Sequence, residues 1–481
     1  MPDKNKSPSR RRFIKPGDRI FRVPRPIQWE VILPSITRPR VGGGGISTSV
    51  IAFGFGAVIL IGTLLLMLPV AATNGISADP TIALFTSTSA VCVTGLVVAD
   101  TADYWSPFGE GVILFLIQIG GFGFMTTATL ILLALGRRIG LRERLLIKEA
   151  MGVTQLGGVV RIVRQMAFFT IVAEILGAAL IYLRLSTQSP HGEALWKSIF
   201  HSISAFNNAG FDLYGGYRSL SDFQTDPLVI LTTAGLFILG GISYMVISDI
   251  LRKRGFVHLS LDSKMVITTM TFLLALGTIV LLLTEMNNSD TLGPLSLPQK
   301  ILNAFFHAAT PRTAGFASLN IGSFAVYSLF FIMFLMLVGG ASGSTAGGIK
   351  VNTFGLLVAT IISTLRGDEN PTAFQREINT EQIQRALTLV ILAVVFIFII
   401  VFCLTITENM SFSDLLFETI SAFGTVGLST GITPILSTAG RLLIILTMFI
   451  GRIGPLTLIL SLTLRQRRSD FSYPKEAVRI G

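Results

Sequence analysis

Long apolar stretches alternate along the chain with polar connections, at about residues 46–72, 107–136, 162–184, 227–251, 263–287, 325–363, 385–406 and 438–464. A helix needs roughly 20 such residues to cross a bilayer, so eight principal spans are predicted from these stretches. Every second connection is long and carries a further apolar piece, near 79–93, 195–208, 300–313 and 413–425. These pieces are too short to cross and read as re-entrant half-helices. Non-helical backbone at membrane depth survives only where protein or a water-filled cavity satisfies its polar groups, so the four pieces should line something wet.

Aligned on one glycine each, the pieces read FTSTSAVCVTGL, FHSISAFNNAGF, FFHAATPRTAGF and FETISAFGTVGL, with Gly95, Gly210, Gly315 and Gly427 in register. The glycines are 115, 105 and 112 residues apart, so a unit of span, half-helix, loop and span occurs four times. Ten residues before each stands Phe85, Phe200, Phe305 or Phe417; six before stands Ser89, Ser204, Ala309 or Ser421; one after stands Leu96, Phe211, Phe316 or Leu428. Four such tips suit a dehydrated monovalent cation, because backbone carbonyls from converging loops can replace its water without the full charges that would trap it. Glycine adopts φ > 0 there at little steric cost, and the half-helices can aim the negative ends of their dipoles at the cavity. The expected fold is an all-α membrane protein: four M1-pore helix-M2 repeats in a pseudo-fourfold arrangement around a central pore.

Composition agrees with that reading. Hydrophobic residues make up 51% of the 481-residue chain and charged residues 14%, against about 25% charged in an average soluble domain, and this excludes an ordinary cytosolic enzyme. The net charge of +11 has no basic soluble domain to reside in, so lipid headgroups and topology, not nucleic acid, account for it. Alternate connections and tails carry 31 Lys and Arg on one side and five on the other, which by the positive-inside rule puts both termini in the cytoplasm. The expected organisation is a basic cytoplasmic tail over 1–45, repeats over 46–136, 162–251, 263–363 (with a broken second span) and 385–464, and a cytoplasmic C-terminal tail over 465–481. Cys92 and Cys403 imply no disulfide framework.

The four loops, with QIGGFGFMT at 118–126, GGASGSTAGGIK at 339–350 and FIGRIGPLT at 449–457, resemble the Trk/Ktr/HKT superfamily of potassium transporters, most closely its bacterial KtrB branch. The resemblance implies potassium uptake across the bacterial plasma (inner) membrane, expected to be sodium-stimulated symport, by a homodimer carrying a cytoplasmic ring of nucleotide-binding regulatory subunits. It implies no cofactor; potassium is the transported ion, with sodium beside it. Carried over by position, the selectivity filter comprises Val93, Thr94, Gly95 and Leu96; Asn208, Ala209, Gly210 and Phe211; Thr313, Ala314, Gly315 and Phe316; and Thr425, Val426, Gly427 and Leu428. Potassium would sit at their backbone carbonyls. Glycine rather than serine at position 95 implies potassium selectivity. The repeats are unequal, with Asn207, Asn208 and Arg312 in or beside the loops.

Two features suggest gates. As one helix, the sixth apolar stretch would run to about 58 Å, nearly twice the hydrocarbon core. Its middle holds Gly339, Gly340, Ser342, Gly343, Ser344, Thr345, Gly347 and Gly348. A flexible loop below the filter is expected there, to which the resemblance assigns gating; a close helix crossing is the alternative that small residues also permit. Arg452, near the middle of the last stretch, is costly facing lipid and should face the pore as an electrostatic barrier; pairing with a carboxylate such as Glu174, or snorkelling to one membrane surface, is the alternative. Arg312 is read as a brace that bonds nearby filter carbonyls.

Two other classes compete. Gly340-Ala341-Ser342-Gly343 matches the G-x-S-G of rhomboid-like intramembrane serine proteases, which would need a histidine base within reach of Ser342. Alternatively the chain is the ion-translocating subunit of an ATP-driven potassium pump, although it carries no phosphate-cradling loop of its own.

Overall fold

The computed structural model of the chain describes residues 45–134, 140, 158–368 and 370–454. The expected tails over 1–44 and 465–481, residues 455–464 of the last apolar stretch, and all of the basic connection over 135–157 except Gly140 lie outside the described residues. Three helices occur in the same order four times: an outer helix, a short pore helix and an inner helix. They are Gly45–Leu66, Pro80–Val91 and Pro107–Phe122 in the first repeat, and Val159–Leu185, His191–Phe206 and Pro227–Gly241 in the second. The third has Leu261–Glu285, Leu297–Ala309 and Val326–Leu337, and the fourth Thr380–Thr407, Phe412–Gly424 and Thr438–Ile453.

Local chemistry starts these helices where the sequence turns polar. Asp79 accepts from the Thr81 and Ile82 amides to cap the first pore helix, Ser296 and Gln299 form a capping box on the third, and Ser411 caps the fourth. Inner helices open on Ser106-Pro107, Asp226-Pro227 and Ser437 in the same way. The outer helices present large apolar side chains outward, among them Phe168, Phe272 and Phe398, 71%, 60% and 70% exposed. Water would penalise such a surface and lipid does not. Phe85, Phe200 and Phe417 are buried to 0% exposure in the core. In the third repeat Phe305 is only half-buried and its neighbour Phe306 takes the core position.

Packing closes the repeats into a circle. The inner helix of the first repeat packs on the pore helix of the second, that of the second on the third, that of the third on the fourth, and that of the fourth back on the first. Two of the expected spans are not single helices. The 107–136 stretch breaks at Gly123, whose φ of 75° ends Pro107–Phe122 before Phe124–Ala134 begins. The 227–251 stretch turns by 92° between Pro227–Gly241 and Tyr244–Lys253, where extended Ile242 stops one helix and the Ser243 hydroxyl caps the next. Apolar periodicity cannot register the break at Gly123, because the residues on both sides are equally apolar. In the third repeat residues 338–350 separate Val326–Leu337 from Val351–Leu365.

Candidate functional site

Each pore helix gives way to the same backbone turn. Val93, Asn208, Thr313 and Thr425 have φ of 55°, 59°, 71° and 50°, and two residues later Gly95, Gly210, Gly315 and Gly427 have 90°, 71°, 78° and 92°. A side chain pays for the left-handed region, and here it would also collide. A Cβ on Gly95 would lie 2.5 Å from Ala209 O, one on Gly210 3.0 Å from Ala314 O, one on Gly315 2.6 Å from Val426 O, and one on Gly427 2.1 Å from Thr94 O. Each glycine therefore abuts the carbonyl before the next repeat's glycine, and the fourth returns to the first. The tips form a closed ring of backbone.

Hydrogen bonds hold this ring to the pore helices. The Thr94, Ala209 and Val426 amides donate to Ser89 O, Ser204 O and Ser421 O, each at 2.8 Å, whereas in the third repeat Ala314 N reaches Thr310 O at 3.0 Å. The small-residue column acquires a role: Ser89 Oγ accepts from Gly95 N at 3.0 Å and Ser421 Oγ from Gly427 N at 3.1 Å. Ala309 has no hydroxyl to offer; there Thr310 Oγ1 donates to Phe316 O at 2.7 Å. Leu96, Phe211, Phe316 and Leu428 are all buried, wedging the turns from behind. On one side of the ring opens a cavity of about 480 Å³, lined by all four glycines and by Asp100, Asp212 and Arg218.

The 338–350 segment packs against the pore-helix ends of two repeats. Ala341 N and Thr345 N donate to Gly241 O and Gly240 O, Ser243 Oγ donates to Gly343 O, and Thr345 Oγ1 donates to Asn208 Oδ1 at 3.0 Å. Gly339 N donates to Ile349 O and Ser344 Oγ to Ala341 O, folding the segment on itself. Gly340 leaves only 2.5 Å between a would-be Cβ and Ala346 Cβ, and at Gly347 and Gly348 a Cβ would lie 2.1 Å from Thr425 Oγ1 and 3.1 Å from Gly424 Cα. Arg452 extends from the fourth inner helix and donates to Thr345 O and to Gly120 O of the first. Its partners are thus carbonyls, and no carboxylate is among its described hydrogen bonds or ion pairs.

Other singled-out residues fall elsewhere. Glu174 lies beneath the second repeat's loop, where Asn207 Nδ2 is 3.0 Å from its Oε1. Arg312 departs from the expected brace: from the turn after the pore helix its guanidinium reaches only Ala308 O near that helix's end, at 3.4 Å, with Nε and Nη2 unpartnered. It is the Arg312 carbonyl that joins the loops, accepting from Asn208 Nδ2 at 3.3 Å. Ser342 is exposed, and its amide donates to Asn352 Oδ1. The buried His201 and His307 rings bond Thr233 and Ser318 instead, so neither is placed as a base for Ser342.

A second repeat signal went unread in the sequence. The pairs Gly120-Gly121, Gly240-Gly241 and Gly451-Arg452 in the inner helices and Gly339-Gly340 just after the third one occupy corresponding positions. Cβ atoms on Gly120, Gly240 and Gly451 would lie 2.2, 1.8 and 2.1 Å from Val91 O, Phe206 O and Phe423 O, each four residues before a ring glycine. These glycines let the inner helices touch the pore-helix ends. Arg452 occupies the second position, where the other three repeats have glycine.

This closed ring of four re-entrant turns within an all-α bundle is the architecture of a cation-conducting membrane protein. The family model for TrkH, a cation transport protein, matches residues 47–471, and the chain belongs to that family. It is similar to Ktr system potassium uptake protein B of Bacillus subtilis (strain 168), 43% identical over 90% of this chain and 96% of the relative, and to the protein of the same name from Vibrio alginolyticus, 39% identical over 93% and 98%. Potassium/sodium uptake protein NtpJ of Enterococcus hirae is 37% identical over 93% of this chain and 100% of its own. Among solved structures, the potassium transporter TrkH from Vibrio parahaemolyticus shares the fold with a TM-score of 0.69, 19% identity and coverage of 86% and 84%. The resemblance read from the loops is therefore borne out at the level of the family and of the KtrB-type relatives.

Proposed function

We propose that the chain carries potassium into a bacterial cell across the plasma membrane through the glycine ring, using Val93–Leu96, Asn208–Phe211, Thr313–Phe316 and Thr425–Leu428 as its filter. The observation that carries this reading is the closure of the ring, in which each glycine meets the next repeat's carbonyl. Carbonyl dipoles supply the oxygens that a dehydrated cation needs and leave it free to move on. Pore-helix C-termini add partial negative charge at the same depth.

The 338–350 segment serves as the gate in this reading. Arg452 holds it shut by bonding Thr345 O and Gly120 O while placing a positive charge in the ion's path. Potassium uptake is sodium-stimulated, the working form is a homodimer, and a ring of nucleotide-binding subunits acts on the gate from the basic cytoplasmic side, where both termini lie. The repeat boundaries are those given by the apolar pattern. Expression in a bacterium lacking its own potassium uptake tests the reading. Growth at limiting potassium should be restored, more strongly with sodium present, and failure of a well-expressed, membrane-inserted chain to restore it would overturn potassium uptake.

A further inference from the structure

Fourfold repetition makes exceptions visible. Ser87 Oγ donates to Ile59 O and Ser202 Oγ to Glu174 O, both at 2.7 Å, so Glu174 stands where the first repeat has isoleucine. Two residues before the inner-helix glycines stand Gln118, Ile238, Leu337 and Phe449. Three before the ring glycines stand Cys92, Asn207, Arg312 and Gly424. Glu174, Gln118 and Asn207 are thus polar where the first repeat or the other inner helices are apolar, and the fold gathers these three. Asn207 Nδ2 lies 2.9 Å from Gln118 Oε1, 3.0 Å from Glu174 Oε1 and 2.9 Å from Ile203 O. Gly121 makes the room, since a Cβ there would fall 1.9 Å from Asn207 Oδ1.

Glu174 is 8% exposed, and an intramembrane carboxylate is costly without a positive partner. No described ion pair includes it; Arg452 bonds Gly120 O and Thr345 O instead. The helices packed on this part of the outer helix otherwise contribute Leu236 and Ser202 beside Gly177. The Asn207 amide has two hydrogens for three oxygens, while its Oδ1, on a residue 1% exposed, has no partner. Three oxygens from three segments converge on the Asn207 amide, the Gln118 amide is the other side-chain hydrogen-bond partner of Glu174, and a fourth oxygen, Asn207 Oδ1, is one amide rotation away. A single carboxylate among neutral oxygens matches one unit of charge, carried by a small hard cation.

We propose that Glu174, Gln118, Asn207 and the Ile203 carbonyl form a second cation site that takes one sodium ion and biases the gate. It rests on the reading of the ring and the 338–350 segment as the potassium pathway. Coupling runs through one peptide bond: Asn208, the next residue, accepts from Thr345 Oγ1 at 3.0 Å and donates to Arg312 O and Thr313 Oγ1. Sodium drawing the Asn207 side chain into the site would pull on the adjoining backbone, and so on the residue that anchors both the gate segment and the third loop.

The test uses the purified full chain at fixed pH and saturating potassium, with two readouts: potassium influx into liposomes and thermal stability in detergent, each against sodium chloride with choline chloride as control. Sodium should raise both, and Glu174→Gln should raise the sodium needed for half the effect at least tenfold in both, with Glu174→Asp in between. An unchanged sodium dependence of stability in Glu174→Gln overturns the site, as does a stability that, in a second series of melts taken over a range of pH, follows protons and not sodium. A sodium-dependent stability with sodium-independent influx overturns the coupling. Absence of potassium influx under every condition counts against the transport reading, while the stability measurement still decides the site.

Discussion

Single atoms decide whether the ring exists. At Gly427 the backbone is at φ 92° and a Cβ would stand 2.1 Å from Thr94 O, so both backbone strain of about 1 to 3 kcal/mol and a backbone collision oppose any substitution. Gly427→Ala should lower potassium influx by at least about tenfold, roughly 1.4 kcal/mol, whereas Gly111→Ala, in open space, should leave influx within about twofold; liposome flux measures both. Asp79, at the N-terminal end of the first pore helix, is a milder case. The Thr81 hydroxyl and amide hold its carboxyl below the ordinary carboxylate range. A lowered folded pKa means that its contribution is present above the unfolded value near 3.9 and is lost as pH falls through the folded one. Asp79→Ala should therefore cost about 1 kcal/mol near neutrality, and the difference from wild type should shrink in thermal melts taken progressively below pH 4.

Elements that break are the ones that can move. The interruptions at Gly123 and Ile242 fall just past the glycine pairs, and the 338–350 segment starts one residue before its own pair, Gly339-Gly340. Glycine lets the helix touch the pore-helix end, and the same residue weakens its continuation. The segment in the third repeat is long enough to fold over and be tied by Arg452. Arg452→Gln removes both the charge and the stronger, charge-assisted part of those bonds, so influx should rise severalfold; unchanged or lower flux in a well-expressed variant would count against a barrier. Joining the elements covalently should do the opposite. A Cβ at Gly347 would lie 3.0 Å from Thr425 Cβ, closer than the roughly 3.5 to 4.5 Å that a disulfide spans, so a small outward shift of the segment would admit the bond. The Gly347→Cys/Thr425→Cys variant should lose flux on oxidation and regain it with reductant.

At the scale of the whole molecule, the circle of inner-on-pore helix contacts joins the four repeats around the ring. In the proposed filter an ion at the centre would touch all four repeats, so ligand and fold would stabilise each other. Potassium should raise the melting temperature relative to choline, as expected for a ligand worth about 2.7 kcal/mol at a hundred times its dissociation constant, and Gly427→Ala should abolish most of that shift. Calorimetry or a dye-based melt in detergent provides the check.

The residues that recur were legible in the chain alone. Gly95, Gly210, Gly315 and Gly427 stand out because one physical demand, a turn with no space for a side chain, is imposed four times, and the apolar stretches stand out because lipid tolerates little else at that depth. Residues that occur once were not legible. The partners of Glu174 come from Asn207, 33 positions away, and Gln118 lies 89 positions from Asn207; nothing in either neighbourhood marks the meeting. Arg452 could be recognised as an intramembrane charge, but that it binds two carbonyls from different repeats depended on where the third repeat's segment folds. Repetition and hydropathy are written residue by residue, whereas contacts between unlike repeats arise only when the circle closes.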